Sequence, residues 1–301
     1  MNKITFPKDY NYCAVFLTLA CQLKCSYCIN IQSYERSALV KGRKAMAARD
    51  WINALNRIEA RSDLPLTIQG GEPTSHPYFY DIINEVDKPM DLLTNCMFDV
   101  DEFISRVPTS KFKRNAPYAS IRVSYHPEQV SLEKLLPRVK KLHEKGYQIG
   151  VWMVEVPEQM HLAENASALF RLHGISFKIK QLLGEHKGTI YGTYKYENSV
   201  DIPKEQWKTC LCRTTELLIA PDGTIHRCHS DLYNLRLGIG HVLDYNFSLD
   251  REYRFCSVYG NCSGCDTKNK TNRFQIHGHT SVEIQQIGTA QEPAALIEKE
   301  G

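Results

Sequence analysis

The stretch CAVFLTLACQLKCSYC, residues 13–28, joins an apolar run to three closely spaced cysteines. Residues 13–19 are apolar, bounded by polar residues and too short for a helix, which predicts a buried strand. Cys21, Cys25 and Cys28 follow directly as C-x3-C-x2-C. Three thiols in one loop suit a [4Fe–4S] cluster with one iron free of protein ligands, because zinc usually takes four ligands. A zinc knuckle completed by a distant residue is the alternative.

Beyond this stretch, short apolar runs alternate with amphipathic segments as far as residue 183. The runs predict five more strands, at 65–69, 91–95, 120–125, 148–156 and 176–183. The segments predict helices at 45–60, 78–86, 100–107, 132–145 and 162–172, and Pro137 is expected to kink the fourth or shift its start. Strands that alternate with helices predict a parallel sheet with right-handed crossovers. Periodicity alone does not choose between an open sheet and a partial barrel.

Composition narrows the class of protein. The 301 residues are 43% hydrophobic and 24% charged, which is typical of a globular protein with a core. A net charge of +3 indicates neither a nucleic-acid nor a membrane partner. No signal peptide or membrane-spanning run is visible, so we expect a cytoplasmic protein. In that compartment, 11 cysteines indicate metal ligands or catalytic groups rather than disulfides.

A second motif follows the second predicted strand: Gly70, Gly71, Glu72 and Pro73. The two glycines permit close backbone approach, and the carboxylate can accept hydrogen bonds from a ligand amine. Alone, the motif is equally well a simple turn. However, both motifs lie at carboxyl ends of strands, where α/β folds assemble their active sites.

The two motifs, with Tyr27 just before the third cysteine, resemble the radical S-adenosylmethionine (radical SAM) enzymes over residues 12–183. The resemblance implies a partial (β/α)6 TIM barrel, whose cluster binds S-adenosylmethionine at its open iron with the help of residues 70–73. It also places Tyr27, Asn95 and Ser124 among the cofactor-binding residues. The implied chemistry is one-electron cleavage of S-adenosylmethionine to a 5′-deoxyadenosyl radical, with flavodoxin or ferredoxin as the electron donor.

A third constellation lies towards the C-terminus, where a β-hairpin is predicted over 216–228 with its turn at 221–223. Four cysteines there could form one metal site, and spacing permits zinc as readily as iron–sulfur. They resemble the twitch domain, the shorter relative of the SPASM extension, which holds one auxiliary [4Fe–4S] cluster. The expected ligands are Cys212, Cys228, Cys262 and Cys265.

Cys210 and Cys256 remain as spare thiols, and either one could replace a ligand. Each is also a candidate hydrogen-atom donor to a substrate radical, or a buried small residue. Glu155 and Glu185, after the fifth and sixth strands, are candidate substrate contacts or solvated carboxylates. The segment His126-Pro127-Glu128, after the fourth strand, lines the cavity or begins the next helix.

The predicted domains are a radical SAM partial barrel (1–183), a linker or substrate-covering segment (184–209), a small β-hairpin/α auxiliary-cluster domain (210–280) and a C-terminal tail (281–301). The first strand begins near residue 12, which leaves no room for an N-terminal peptide-recognition domain. This favours oxidation or epimerisation of a sugar, aminocyclitol or other small polar molecule. The alternatives are a maturase of ribosomally made peptides, an enzyme acting on a cofactor precursor, and a non-enzymatic iron–sulfur or zinc protein.

Overall fold

The computed structural model describes residues 2–30, 45–61, 63–116, 118–270 and 279–286. The strands are β1 (Ile4–Thr5), β2 (Cys13–Thr18), β3 (Ile58–Glu59), β4 (Leu66–Gly70), β5 (Met90–Thr94), β6 (Ile121–Tyr125), β7 (Ile149–Val154), β8 (Ser176–Lys180), β9 (Gly184–His186), β10 (Thr189–Tyr191), β11 (Lys208–Thr214), β12 (Leu217–Ile219), β13 (Thr224–His226), β14 (Gly240–His241), β15 (Arg254–Tyr259) and β16 (Val282–Gln286). The helices are α1 (Ala48–Asn56), α2 (Phe79–Glu85), α3 (Val100–Arg106), α4 (Leu132–Glu144), α5 (Ala163–Leu172), α6 (His229–Tyr233) and α7 (Gly264–Thr267).

Within the described residues, nine strands form one sheet in the order β14-β13-β12-β2-β4-β5-β6-β7-β8. The six strands from β2 to β8 in this order are parallel, and consecutive ones are neighbours. The predicted α/β fold with a partial (β/α)6 arrangement is therefore confirmed. The sheet has two free edges, at β14 and β8, so it does not close into a barrel. Among the helices of the described ranges, none has the length and apolar composition that a membrane span requires.

Helix α4 continues through its proline. It begins at Leu132, directly after the N-cap Ser131, and runs through Pro137 to Glu144. Proline lacks one N–H donor, which removes a single hydrogen bond from the helix interior. The burial of Leu135 and Val139 on the face that packs against the sheet offsets that loss.

The C-terminal third is joined to the barrel sheet more closely than the sequence indicates. The predicted hairpin is confirmed as β12–β13, with Gly223 in its turn at φ +86°. β12 also pairs in parallel with β2, so this hairpin extends the main sheet. In the predicted 184–209 segment, β9 and β10 form a second hairpin.

The predicted tail, residues 281–301, contains a strand. Val282–Gln286 forms β16, which pairs antiparallel with β11 in a three-stranded sheet of the described residues, β15-β11-β16. The free edge of β11 supplies backbone partners that a local sequence pattern does not reveal. Residues 287–301 lie outside the described residues.

The two faces of the parallel strands differ in chemistry, because successive side chains of a strand point to opposite sides. One face is apolar and packs against the helices, with side chains such as Ile68, Val123 and Val151 fully buried. The opposite face, which we call the inner face, is largely polar. It carries Thr67, Gln69, Asp91, Arg122, Ser124, Trp152, Lys178 and Lys180, as the strand registers show.

Asp91 is the centre of a buried network on the inner face. Its Oδ1 accepts a hydrogen bond from Arg114 Nε at 2.8 Å, and its Oδ2 accepts from Tyr118 Oη at 3.0 Å and from Arg122 at 3.3 Å. The Asp91 side chain is 0% exposed. A buried carboxylate needs such partners, since desolvation of an unpaired charge is costly.

We expect Asp91→Ala to lower the free energy of unfolding by about 3–5 kcal/mol, because two largely buried guanidinium groups lose their counter-charge. Urea unfolding followed by circular dichroism measures the change. The matched control is Glu85→Ala, which removes an exposed ion pair with Arg49 and should cost far less. Equal losses in the two variants would contradict the assigned role of Asp91.

Candidate metal centres

The loop after β2 carries the first three cysteines. Cys25 is buried, Cys21 is partly buried and Cys28 is exposed. Burial and the neighbouring Cys28 raise the pKa of Cys25 to about 12, and burial also raises the pKa of Cys21. These thiols are close enough to act on one another and become thiolates together only beside a cation. Soft sulfur donors of this kind fit a [4Fe–4S] cluster.

The cysteine loop is held by the residues that follow β6. The Glu128 carboxylate accepts hydrogen bonds from Ser26 N at 2.5 Å and from Ser26 Oγ at 2.8 Å. Gln129 exchanges two hydrogen bonds of 3.1 Å with the backbone of Lys24. The sequence predicted that Glu128 lines the cavity or begins the next helix, and it gave no signal for Gln129. They fix the loop at the carboxyl edge of the sheet.

Tyr27 lies in the same loop and contacts His126. Its hydroxyl lies 2.8 Å from His126 Nδ1. Burial lowers the pKa of His126 to about 4, so the imidazole is neutral and can accept the Tyr27 hydrogen bond. His126 thus holds the cysteine loop through Tyr27. It does not begin the next helix, which starts at Leu132.

The glycines of the second motif lie against the start of the cysteine loop. Gly71 N donates to Thr18 O at 2.9 Å, and Glu72 N donates to Ala20 O at 2.8 Å. A Cβ on Gly70 would lie 2.0 Å from Thr18 O, and Gly70 has a φ of +147°. Only glycine allows both this conformation and this approach. The two motifs therefore form one continuous site.

The Glu72 carboxylate links the second motif to the end of β5. It is buried and accepts from Thr94 Oγ1 at 2.7 Å, from Asn95 N at 2.7 Å and from Thr74 Oγ1 at 2.6 Å. Burial raises its pKa, and these hydrogen bonds oppose the shift. Asn95 in turn places its Nδ2 3.6 Å from Cys21 Sγ. Glu72 and Asn95 thus lie beside the cysteine loop, and Ser124 lies on the inner face in β6, the strand that neighbours β5.

A second group of thiols lies on the β15-β11-β16 sheet. Cys210 and Cys212 of β11 point to one side, and Cys256 of β15 lies directly opposite Cys210. The sulfurs of these three residues all lie within 4.8 Å of one another, and those of Cys210 and Cys212 are 3.4 Å apart. Three buried thiolates at this distance would repel strongly without a cation, so the donor set fits a metal or cluster.

A small cavity adjoins these thiols. Four cysteines line it: Cys212, Cys228, Cys256 and Cys262. Arg227 and Arg236 also line it and both pair with Asp231. Positive charge at this position suits a cluster whose thiolate ligands make it anionic. Cys265, expected from the sequence as a ligand, is not among the lining residues.

The remaining candidates are two carboxylates and two thiols. Glu155 is exposed after β7, and its backbone N–H donates to Lys180 O at 2.9 Å. Glu185 is exposed in β9 and accepts from Gly188 N at 2.5 Å, within its own hairpin. Cys210 and Cys256, the candidate hydrogen donors, instead lie within the second thiol group. The catalytic roles of all four remain predictions.

Helix α6 joins the second thiol group to the inner face. Cys228 is its N-cap residue, and its sulfur accepts from Asp231 N at 3.3 Å. Asp266 accepts from His229 N at 2.7 Å and from Ser230 N at 3.0 Å. The ring of His229 packs edge-on against Phe16 of β2, with centroids 6.2 Å apart. The C-terminal cysteines are therefore anchored to the barrel.

Comparison with known proteins shows similarity at the level of the fold. No protein-family profile and no curated protein matches the chain. Among solved structures, SuiB of Streptococcus suis matches with a TM-score of 0.53 and 14% identity over 80% of this chain. anSMEcpe with bound AdoMet and Cp18Cys peptide matches with a TM-score of 0.52 and 12% identity, over 81% of this chain and 79% of that one.

Both structures are less than 25% identical to this chain, so the likeness is one of fold. This chain spans 64% of the SuiB chain, less than two thirds of its length. The predicted resemblance to radical SAM enzymes with a C-terminal auxiliary-cluster domain is thus confirmed as a resemblance of fold.

We expect Glu128→Ala to loosen the cysteine loop, because Ser26 loses both of its partners. Removal of such a supporting carboxylate typically weakens metal retention by about 10-fold or more. The measurement is the rate at which the reconstituted protein loses iron to a chelator without oxygen. Glu144→Ala, on an exposed position of α4, is the matched control and should retain iron as the parent does. Identical rates in both variants would show that Glu128 does not hold the loop.

Proposed function

We propose that this protein is a radical SAM enzyme that modifies a peptide. The observation that carries the proposal is the contact between three strand ends: the cysteine loop after β2, the glycine motif after β4, and Asn95 after β5. Their backbone and side-chain hydrogen bonds make one cradle, with Asn95 3.6 Å from Cys21 Sγ. Three thiolates with an adjoining glycine cradle suit a cluster that leaves one iron open to a ligand.

When bound, the cluster and S-adenosylmethionine would supply the radical that abstracts a hydrogen atom from the substrate. The chain's own residues have three tasks. Cys21, Cys25 and Cys28 hold the cluster. The glycines at residues 70–71 have no side chains, so their backbone leaves room for the methionine end of the cofactor. The inner face binds the substrate and separates it from bulk water.

A peptide is favoured over the sugar or aminocyclitol expected from the sequence. The anSMEcpe structure contains a Cp18Cys peptide together with AdoMet, and its fold matches most of this chain. No comparable observation supports a carbohydrate. The electron donor, expected to be flavodoxin or ferredoxin, remains a prediction.

For the auxiliary centre, we propose that four thiols around the C-terminal cavity bind a second [4Fe–4S] cluster. These are Cys212, Cys228, Cys256 and Cys262, which line the cavity together. Cys256 thereby takes the place that spacing assigned to Cys265, an alternative that the sequence left open. Cys210, 3.4 Å from Cys212, is then the spare thiol of this centre.

The reconstituted protein should contain about eight iron atoms per chain, as two cubane clusters require. With S-adenosylmethionine and a reductant it should form 5′-deoxyadenosine, measured by chromatography. Cys28→Ala should abolish this product, because the first cluster loses a ligand. Cys13→Ala, which changes a thiol on the helix-facing side of β2, should retain both iron and product.

A non-enzymatic iron–sulfur or zinc protein predicts a different outcome. It would bind zinc, or iron without forming 5′-deoxyadenosine, and Cys28→Ala would then affect metal content alone. That result would overturn the proposed activity.

The ligands of the auxiliary centre are tested by a pair of variants. Cys256→Ala should remove about half of the iron and leave 5′-deoxyadenosine formation measurable, because the first cluster stays intact. Cys265→Ala should leave the iron content unchanged, since Cys265 does not line the cavity. The reverse result would restore the ligand set expected from the sequence.

A further inference from the structure

Arg227 lies between two of the cysteines that line the C-terminal cavity. It directly precedes Cys228, and its Nη1 donates a hydrogen bond to Phe255 O at 2.7 Å. Because Phe255 precedes Cys256, this hydrogen bond is made to the peptide group that joins those two residues. The side chain of Arg227 thus contacts the backbone beside one cysteine, and its own backbone leads into the other.

The rest of the guanidinium is bound by Asp231. Arg227 Nε and Nη2 lie 3.0 and 2.8 Å from Asp231 Oδ2. The backbone N–H of Asp231 in turn donates to Cys228 Sγ at 3.3 Å. The two side chains are only 12% and 3% exposed, so solvent screens their ion pair weakly. Arg227 therefore connects the residue that binds the Cys228 sulfur to the peptide before Cys256.

This connection joins two elements that local structure keeps apart. Cys228 is the N-cap residue of α6, whereas Cys256 lies in β15, an edge strand of its three-stranded sheet in the described part of the chain. Groups that surround the ligands of a metal site fix the orientation of those ligands. Arg227 makes such contacts to both elements, at 2.7 to 3.0 Å.

The charges around the cavity leave an excess of positive charge at Arg227. Its partner Asp231 is shared with Arg236, whose Nη1 lies 3.1 Å from Asp231 Oδ1. One carboxylate thus lies between two guanidinium groups, and both arginines line the cavity with its four cysteines. Asp266 also lines the cavity, but its carboxylate binds His229, whose backbone N–H donates to it at 2.7 Å. The pairing of Asp231 therefore does not neutralise the two arginines.

We propose that Arg227 is a positioning residue of the auxiliary centre. It holds cysteines of α6 and β15 around one cavity, and its charge favours the reduced form of a cluster bound there. Reduction adds an electron to an anionic group, so a positive charge nearby stabilises the product more than the reactant. This inference rests on the proposed auxiliary cluster and specifies a residue that sets its stability and its reduction potential.

The test uses the full chain with Cys28→Ala, reconstituted without oxygen, so that the auxiliary cluster is measured alone. In this background, Arg227→Met should release iron to a chelator about 10-fold faster or more, as loss of a group that orients a metal ligand does. The midpoint potential is measured by redox titration with electron paramagnetic resonance. We expect Arg227→Met to lower it by about 60 mV, which is a tenfold change for a one-electron couple.

Arg227→Lys separates position from charge. A lysine keeps the positive charge but lacks the planar guanidinium that contacts Asp231 and Phe255 together. This variant should release iron faster than the parent and keep most of the parent's potential.

The matched control is Arg213→Met. Arg213 follows Cys212 in β11, so its side chain lies on the opposite face of the sheet from the thiols. It is similarly buried, at 15% exposed, and pairs with Glu283 at 2.8 Å. Its loss removes a comparable ion pair, and both the iron release and the potential should equal those of the parent.

Three results would overturn the inference. The first is that Arg227→Met releases iron and titrates as the parent does. The second is that Arg213→Met shows the same changes as Arg227→Met, which would assign them to a general loss of stability. The third is that the Cys28→Ala protein binds no iron, which would also contradict the auxiliary cluster.

If Arg227→Met holds no cluster, the lysine variant decides. Faster release of iron at an unchanged potential supports the inference, and iron release equal to the parent's contradicts it. None of these measurements uses S-adenosylmethionine. A protein that behaves as expected here but forms no 5′-deoxyadenosine would therefore contradict the proposed activity and not the role of Arg227.

Discussion

The close backbone approach at Gly70 and Gly71 is the constraint on which the candidate site depends. Here the ends of β2 and β4 meet at hydrogen-bond distance, and any side chain at either glycine would collide with carbonyl oxygens of residues 18–20. The cysteine loop leaves the sheet at this point, so its direction is set by the same contact. Glu72 then extends the contact to β5 through Thr94 and Asn95. The cysteine loop is held in place by hydrogen bonds from the residues that follow β4 and β6.

The inner face follows from the alternation of side chains along parallel strands. The apolar side chains of each strand are covered by helices, and the polar side chains form the inner face. Charged groups at this depth are kept by pairing, as in the network of Asp91 with Arg114 and Arg122.

The C-terminal thiols are joined to the main sheet through shared secondary structure. β12 pairs with β2, and His229 of helix α6, directly after the N-cap Cys228, packs against Phe16. The antiparallel pairing of β11 with β15 sets Cys210 opposite Cys256. These strands are separated by about 40 residues of chain, and local periodicity carries no information on their register. This is why spacing alone favoured Cys265, whereas Cys256 lies among the cavity thiols.

Three features were predictable from the sequence, because apolar periodicity and glycine placement are local properties. They are the six parallel strands in chain order, the hairpin with its turn at 221–223, and the position of both motifs at strand ends. The cysteine loop could likewise be recognised from three thiols in eight residues. Only the tertiary structure decided which thiols of the C-terminal third meet, that β16 completes a sheet, and that Glu128 and Gln129 hold the cysteine loop. Each of these depends on contacts between distant segments, and the energy of such contacts is set by register and burial rather than by neighbouring residues in the chain.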